Sequence, residues 1–289
     1  MSVIGIIGGS GLYDLPGLAP GEERIASAFG EPSDAVRRGR IGGNDVVFLP
    51  RHGRGHRLAP HEINYRANID ALKRAGATHV LSVTAVGSYR AELYPGLFVF
   101  PDQYVDRTSG RARSFFGEGV VAHVPFAHPV SPLLVDHLVD AARAEDIAVS
   151  KGGTLVCIDG PAFSSRAESL LFKSFNFDLV GMTALPEAKL AREAELPYAT
   201  IAMVTDFDCW HPEHDAVTVA GVVAVAQENA ARVVRLLTRF VEIFPADAPP
   251  CPVRSERALD GAVMTAPGAR DPAAVARLEA VAGRVLRAG

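Results

Sequence analysis

The sequence predicts an α/β fold, on three observations. Residues 178–208, DLVGMTALPEAKLAREAELPYATIAMVTDFD, run from an apolar segment through a helical pattern into a second apolar segment, which is the order of a βαβ unit. Further apolar runs at 3–7, 45–49 and 78–83 each end in a loop of glycine, hydroxyl or basic residues. The chain has 289 residues, 48% hydrophobic and 21% charged, enough for a large core in one or two domains. In open α/β sheets ligands collect beyond the carboxyl ends of the strands. Met182, Thr183 and the pair Asp206/Asp208 fall at two such ends. Taken alone, the pair also reads as an acidic turn.

In order along the chain, residues 3–7 read as a strand and Gly8-Gly9-Ser10-Gly11 as the turn beyond it. Adjacent glycines let backbone N–H groups converge on an anion, with a hydroxyl beside them. There is no GxGxxG and no P-loop lysine, so neither dinucleotide nor P-loop chemistry follows; a plain tight turn serves equally well. Residues 45–49 form a second strand, followed by Pro50-Arg51-His52-Gly53-Arg54-Gly55-His56. A guanidinium fork beside close-approaching backbone suits phosphate; a solvated basic loop is the alternative. Residues 61–75 have helical spacing, with Gly76 to end the helix. The strand at 78–83 runs into Thr84-Ala85-Val86-Gly87-Ser88, and Pro95-Gly96 marks a turn before 97–100.

Residues 107–119 are polar and glycine-rich and read as a mobile loop. Ser131-Pro132 supplies an N-cap and first-turn proline for a helix reaching about residue 144. Residues 154–158 read as a strand and Asp159-Gly160-Pro161-Ala162-Phe163-Ser164 as a loop. Ser165 and Glu168 have capping-box spacing for the next helix. Thr218 caps a long amphipathic helix over 219–241, residues 245–270 are Pro- and Ala-rich like a linker, and Asp271-Pro272 opens a last helix ending near Arg287. The expected organisation is a main domain over 1–244 and a tail, 245–289, for packing or subunit contact.

The net charge of −4, without a Lys/Arg block, argues against nucleic acid as partner. No apolar run approaches a membrane span, and no basic leader precedes residues 3–7. Cys157, Cys209 and Cys251 are an odd, widely spaced set without CxxC, so free thiols in a reducing cytoplasm are expected.

Four small-residue or basic loops at the ends of four apolar runs are more specific together than singly. With the strings IGIIGGSGLYD, PRHGRGH, HEINYRANIDALK, TAVGS, DQYVDRT, GPAFSSRAES, GMTALPEAKLAREAE and IAMVTDFDCW, the chain resembles the trimeric purine nucleoside phosphorylases over roughly residues 3–242, most closely their branch acting on 5′-methylthioadenosine. The resemblance implies a single α/β domain around a mixed β-sheet flanked by helices, a homotrimer or a dimer of trimers, and phosphorolysis with no metal or organic cofactor. Inorganic phosphate is then a co-substrate: it attacks C1′ of the nucleoside and releases the free purine.

Carried over position by position, the resemblance puts phosphate on Ser10, Arg51, His52, Thr84, Ala85 (backbone) and Thr183. It puts the nucleoside against Phe163, Ser164, Met182, Asp206, Phe207 and Asp208. Val219, Val222 and Val223 would line the 5′ pocket, with His123 lent by a neighbouring subunit; the valines also read as the buried stripe of an amphipathic helix. A 6-amino group offers a donor that a carboxylate accepts, and a carboxyl at N7 is useful if it can give a proton. Asp206 is the candidate proton donor and Asp208 the partner of the 6-amino group. Against the family pattern, Ala162 stands where Arg is usual, Asp159 where Glu is usual, and Ser10 for a frequent Thr. The alternatives are a phosphorylase for 6-oxopurine nucleosides or methylthioinosine, one for another 5′-substituted 5′-deoxyadenosine, a water-using nucleosidase, and a non-enzymatic nucleotide-binding module.

Overall fold

The computed structural model describes residues 1–9, 12, 15–212 and 217–287. Its strands are β1 (Val3–Gly8), β2 (Arg37–Ile41), β3 (Asn44–Pro50), β4 (His79–Ser88), β5 (Phe98–Phe100), β6 (Gln103–Asp106), β7 (Val149–Lys151), β8 (Thr154–Cys157), β9 (Leu179–Gly181) and β10 (Tyr198–Asp206). Its helices are α1 (Tyr65–Arg74), α2 (Pro132–Ala144), α3 (Arg166–Ser174), α4 (Ala184–Glu193), α5 (Val219–Ile243), α6 (Pro272–Arg277) and α7 (Glu279–Leu286).

The strands form one mixed sheet in the order β2-β3-β1-β4-β10-β5-β7, with β9, β8 and β6 branching from the far end of β4. The centre, β3-β1-β4-β10, is parallel, while β2, β5 and β9 join antiparallel. Because side chains alternate across a strand, the central strands are apolar on both faces. Ile7, Val47, Leu49, Val80 and Val204 enter one core layer, with α1, α4, α6 and α7. Ile4, Ile6, Val46, Phe48, Leu81 and Ile201 enter the other, with α2 and α5. The expected α/β domain with a mixed sheet flanked by helices is therefore observed.

Local chemistry explains the helix ends. Asn64 accepts from Ala67 N and starts α1 later than the residue-61 start expected from periodicity. Ser131 and Pro132 begin α2, Ser165 and Glu168 complete both halves of a capping box on α3, and Thr218 caps α5. Leu185 is still extended (φ −122°, ψ 136°), as the residue before a proline tends to be. β2 was not foreseen: RRGRI has no apolar run, and its side chains alternate in exposure at the sheet edge.

Residues 245–270 do not hang free. They run through short turns at Ser255–Arg257 and Pro267–Ala269, and Leu259 and Ala262 enter the core layer of α1 and α4. Val121 and Ala122 pair with this segment, and Arg284 on α7 binds Glu195 and Asp260. The single last helix expected from sequence is two, α6 and α7, joined at Leu278. Leu278 is fully buried, so Leu278→Ala should cost about 2–5 kcal/mol in denaturant unfolding. A loss near zero would mean the tail is not part of the folded core.

Candidate active site

Parallel pairing puts the carboxyl ends of β1, β3, β4 and β10 on one edge of the sheet, with Gly8 beside Pro50 and Asp206 beside Gly87. Arg51 leaves β3 at this edge, and its side chain is 1% exposed. Nε and Nη2 donate to the two carboxylate oxygens of Glu187 at 2.9 and 3.2 Å. Nη2 also donates to Ser82 Oγ at 2.7 Å, and Nη1 to the Val83 carbonyl at 2.8 Å. Glu187, fully buried on α4, accepts in addition from Ser82 Oγ at 2.6 Å and the Tyr198 hydroxyl at 2.9 Å. The guanidinium is thus held under the strand ends rather than spread into solvent.

His52 follows, 8% exposed, with Nδ1 2.9 Å from the Leu58 carbonyl and its ring stacked on His56 at 4.1 Å. Burial, the Arg51 charge and His56 lower its pKa to about 4. Thr84, on β4 just beyond the Arg51 contact, lies 3.2 Å from Thr183 Oγ1. Thr183 sits at the N-cap position of α4 without capping it by its side chain. The hydroxyl is directed to Thr84 instead. Ala85 is exposed beside them, and Met182 half-buried.

The loop after β8 is tied to this cluster from an unexpected direction. Arg111 is 9% exposed. Its Nη1 donates to the carbonyls of Met182 and Leu185 at 2.8 Å, and its Nη2 to the Asp159 carbonyl at 2.8 Å. Asp159 in turn accepts from Ser109 N and Oγ at 2.9 and 2.7 Å. The stretch 107–119, read from sequence as mobile, is therefore anchored here through Arg111, and braces the loop that carries Ala162. A Cβ on Gly160 (φ +63°) would stand 2.5 Å from Met182 Sδ, so only glycine lets the loop close on Met182. Phe163 is 40% exposed at its tip, and the Ser164 carbonyl accepts from Cys209 Sγ at 3.4 Å.

At the end of β10, a register shift between Val204 and Asp206 turns the chain. Asp206 Oδ2 accepts from Thr205 Oγ1 at 2.7 Å and Oδ1 from Asp208 N at 2.8 Å. Burial, and secondarily the Asp208 charge, raises its pKa. Asp208 is 5% exposed and left-handed (φ +51°), a conformation Asp tolerates better than most residues. Burial raises its pKa too, opposed by the nearby hydroxyls of Ser169, Ser164 and Tyr89. None of these completes a full hydrogen bond to the buried Oδ2. Phe207 between them is 7% exposed and stacks on His211 at 4.9 Å.

Val219 and Val223 are 69% and 44% exposed and Val222 half-buried. They are not the buried stripe of α5, which runs through Asn229, Val233, Leu236, Leu237, Phe240 and Val241. His123 is exposed on the segment paired with the tail, its N donating to the Ala262 carbonyl. Among the described residues no hydrogen bond or ring contact joins it to the strand-end cluster. Ser10 lies outside the described residues. The sequence reading missed Glu187 and Arg111. A lone Glu within LPEAKLA, among residues at helical spacing that are all buried, is a signal for a buried charge that must be paired. Arg111, in a polar loop, carries no such signal.

The pair predicts a large effect. Removing one partner of a buried ion pair strands the other charge, at about 3–5 kcal/mol. Glu187→Gln should lose stability on that scale in chemical denaturation, and Arg51→Met with Glu187→Leu should recover most of it. Equal losses in the single and double variants would contradict this.

The family model described as the phosphorylase superfamily matches residues 3–242. The chain is 59% identical over 287 residues to an S-methyl-5′-thioadenosine phosphorylase of Bradyrhizobium diazoefficiens, covering 99% of each chain. It is 52% identical over 286 residues to the protein of the same name from Rhodospirillum rubrum, covering 98% of this chain and 97% of the other. Among solved structures, a methylthioadenosine phosphorylase from an antarctic soil metagenomic library superposes with a TM-score of 0.91 at 43% identity, over 97% and 98% of the two chains. The methylthioadenosine phosphorylase of Schistosoma mansoni in complex with adenine does so with 0.83 at 37% identity, over 94% and 99%. With a family model matching residues 3–242 and relatives 52–59% identical over nearly its whole length, the chain belongs to the phosphorylase superfamily.

Proposed function

We propose that the chain cleaves the N-glycosidic bond of 5′-methylthioadenosine with inorganic phosphate, giving adenine and 5-methylthioribose 1-phosphate. It would act as a cytoplasmic pentosyltransferase of purine and methionine salvage. The observation that carries this reading is the spacing along β4. Thr84, paired with Thr183, and Gly87, against which Asp206 Oδ1 and Asp208 lie, are three residues apart on one strand. At about 3.3 Å per residue that is about 10 Å, the reach from an anion under C1′ to the far edge of a purine. The similar proteins named above supply the 5′-methylthio group.

In this reading Thr84, Thr183, the Ala85 backbone, His52 and Ser10 hold the phosphate. Arg51, its fork engaged with Glu187, anchors the loop beneath the phosphate. Met182 lies against the ribose, and Phe163, Ser164 and Phe207 border the base. Phosphate oxygen attacks C1′ as the glycosidic bond breaks, and the bonding pair leaves with the purine. Asp206, whose pKa burial raises, delivers a proton to N7, and Asp208 accepts from the 6-amino group. Val219 and Val223, exposed at the start of α5, with the half-buried Val222 between them, offer an apolar wall that leaves a 5′-hydroxyl without a partner. His123 is assigned to subunit contact, reaching a neighbour's 5′ pocket in a homotrimer or dimer of trimers, and the tail, 245–289, to packing or subunit contact. Phosphate and nucleoside are the only small molecules required, with no organic or metal cofactor.

Base release should require phosphate. Adenine formed at full rate in phosphate-free buffer would favour a nucleosidase.

The carboxylates should also choose the base. A carboxylate facing a 6-oxo group opposes two acceptors, at about 1–3 kcal/mol, or roughly ten- to a hundredfold in kcat/KM. Wild type should prefer 5′-methylthioadenosine over 5′-methylthioinosine by that margin. Asp208→Asn should blunt the preference, and Asp206→Asn should mainly slow adenine release, since an amide cannot protonate N7. A wild type that prefers the inosine, or variants with unchanged ratios, would point to the 6-oxopurine alternative.

A further inference from the structure

The hydrogen bonding of His52 fixes more than its position. After Arg51 the chain turns through Gly53 (φ +68°), Gly55 (φ +78°) and His56 (φ +54°). This folds the loop back until Leu58 N meets the His52 carbonyl at 3.1 Å and the Leu58 carbonyl meets His52 Nδ1 at 2.9 Å. A carbonyl oxygen only accepts, so Nδ1 carries the proton. The neutral ring then has one lone pair left, at Nε2. Among the described residues no hydrogen bond occupies Nε2. The ring cannot turn over without breaking the Leu58 bond and its stacking on His56.

The other possibility is an imidazolium, which would donate from both nitrogens. The groups facing the ring work against it. Burial is the largest influence, and Arg51 and His56 add positive charge, which together hold the pKa at about 4 despite the Leu58 bond. Near neutral pH the ring is an acceptor at Nε2.

We propose that His52 selects the co-substrate by its proton: Nε2 accepts a hydrogen bond from the P–OH of hydrogen phosphate, so the site favours tetrahedral oxyanions that carry a proton, phosphate and arsenate, over sulfate, which carries none. This rests on the phosphate site assigned above and adds a specificity-determining role to one of its residues. The other contacts do not discriminate in this way. The Thr84 and Thr183 hydroxyls can donate to either anion, and Arg51, paired with Glu187, does not tell one from the other. Only at Nε2 do the lone pairs of a fully deprotonated oxyanion meet another lone pair.

The test is calorimetric titration of the intact protein with phosphate and with sulfate, without nucleoside. The pH is set above the second ionisation of phosphate, where hydrogen phosphate is the free species. Phosphate should bind about tenfold or more tighter than sulfate, the usual consequence of two opposed acceptors. The heat should be independent of buffer ionisation, because no proton is taken up. As pH falls toward the range where His52 is protonated, sulfate binding should strengthen and take up a proton. His52→Gln, whose amide can donate, should bring the two anions to within a few-fold of each other. Equal affinities in wild type, or uptake of a proton with phosphate, would overturn the proposal while leaving the phosphate site in place. If neither anion binds, the phosphate-site reading itself fails.

Discussion

The arrangement of the site depends on one buried ion pair, Arg51 with Glu187. Both side chains are 1% exposed, so each charge has given up its water, and this loss is tolerable only if every oxygen and most N–H groups find partners. They do, and each partner comes from a different part of the sheet: Ser82 and Val83 from β4, Tyr198 from β10, and Glu187 itself from α4. A helix placed this strictly brings its own beginning with it. Thr183, four residues before Glu187, is thereby set against Thr84. As a whole the pair carries no net charge, so what it gives the strand ends is fixed position rather than an uncompensated field.

The opposite end of the site is built on a different constraint, the desolvation of Asp206 and Asp208. The β10 register shift and the left-handed Asp208 fold the two carboxylates back over Gly87. There burial makes ionisation less favourable for both. Asp206 has both oxygens engaged, while Asp208 keeps Oδ2 buried without a completed hydrogen bond. An unsatisfied buried acceptor is costly, and an incoming N–H donor at that atom would remove the cost.

Between these ends, Arg111 joins parts that are distant in sequence, the loop after β8 and the segment 182–185. The tail performs a similar service for the rest of the domain. Glu195, left-handed at the end of α4, is held by Arg284 and by Leu259 N, so the last helix helps fix the connection leading into β10.

The sequence by itself determined the α/β class, the helix caps and most of the strand-end positions of the site. Each of these depends on local rules: apolar runs of strand length, Ser or Thr before a helix, small residues where a chain turns. Ser131, Ser165, Thr218 and Asp271 cap their helices because a side-chain oxygen needs only a backbone N–H two or three residues on. What the tertiary structure alone decided is set by pairing across long separations. Nothing local in RHGRGH says that Arg51 turns inward to Glu187, 136 residues away. Nor does it say that His52 gives its Nδ1 proton to Leu58. Polar residues 107–119 read as mobile because loop composition reports solvation, whereas Arg111 is buried by carbonyls from elsewhere. The valines at the start of α5 fit either a core stripe or a pocket wall by spacing; only the packed sheet shows that the core begins at Asn229 and leaves Val219 and Val223 outside it.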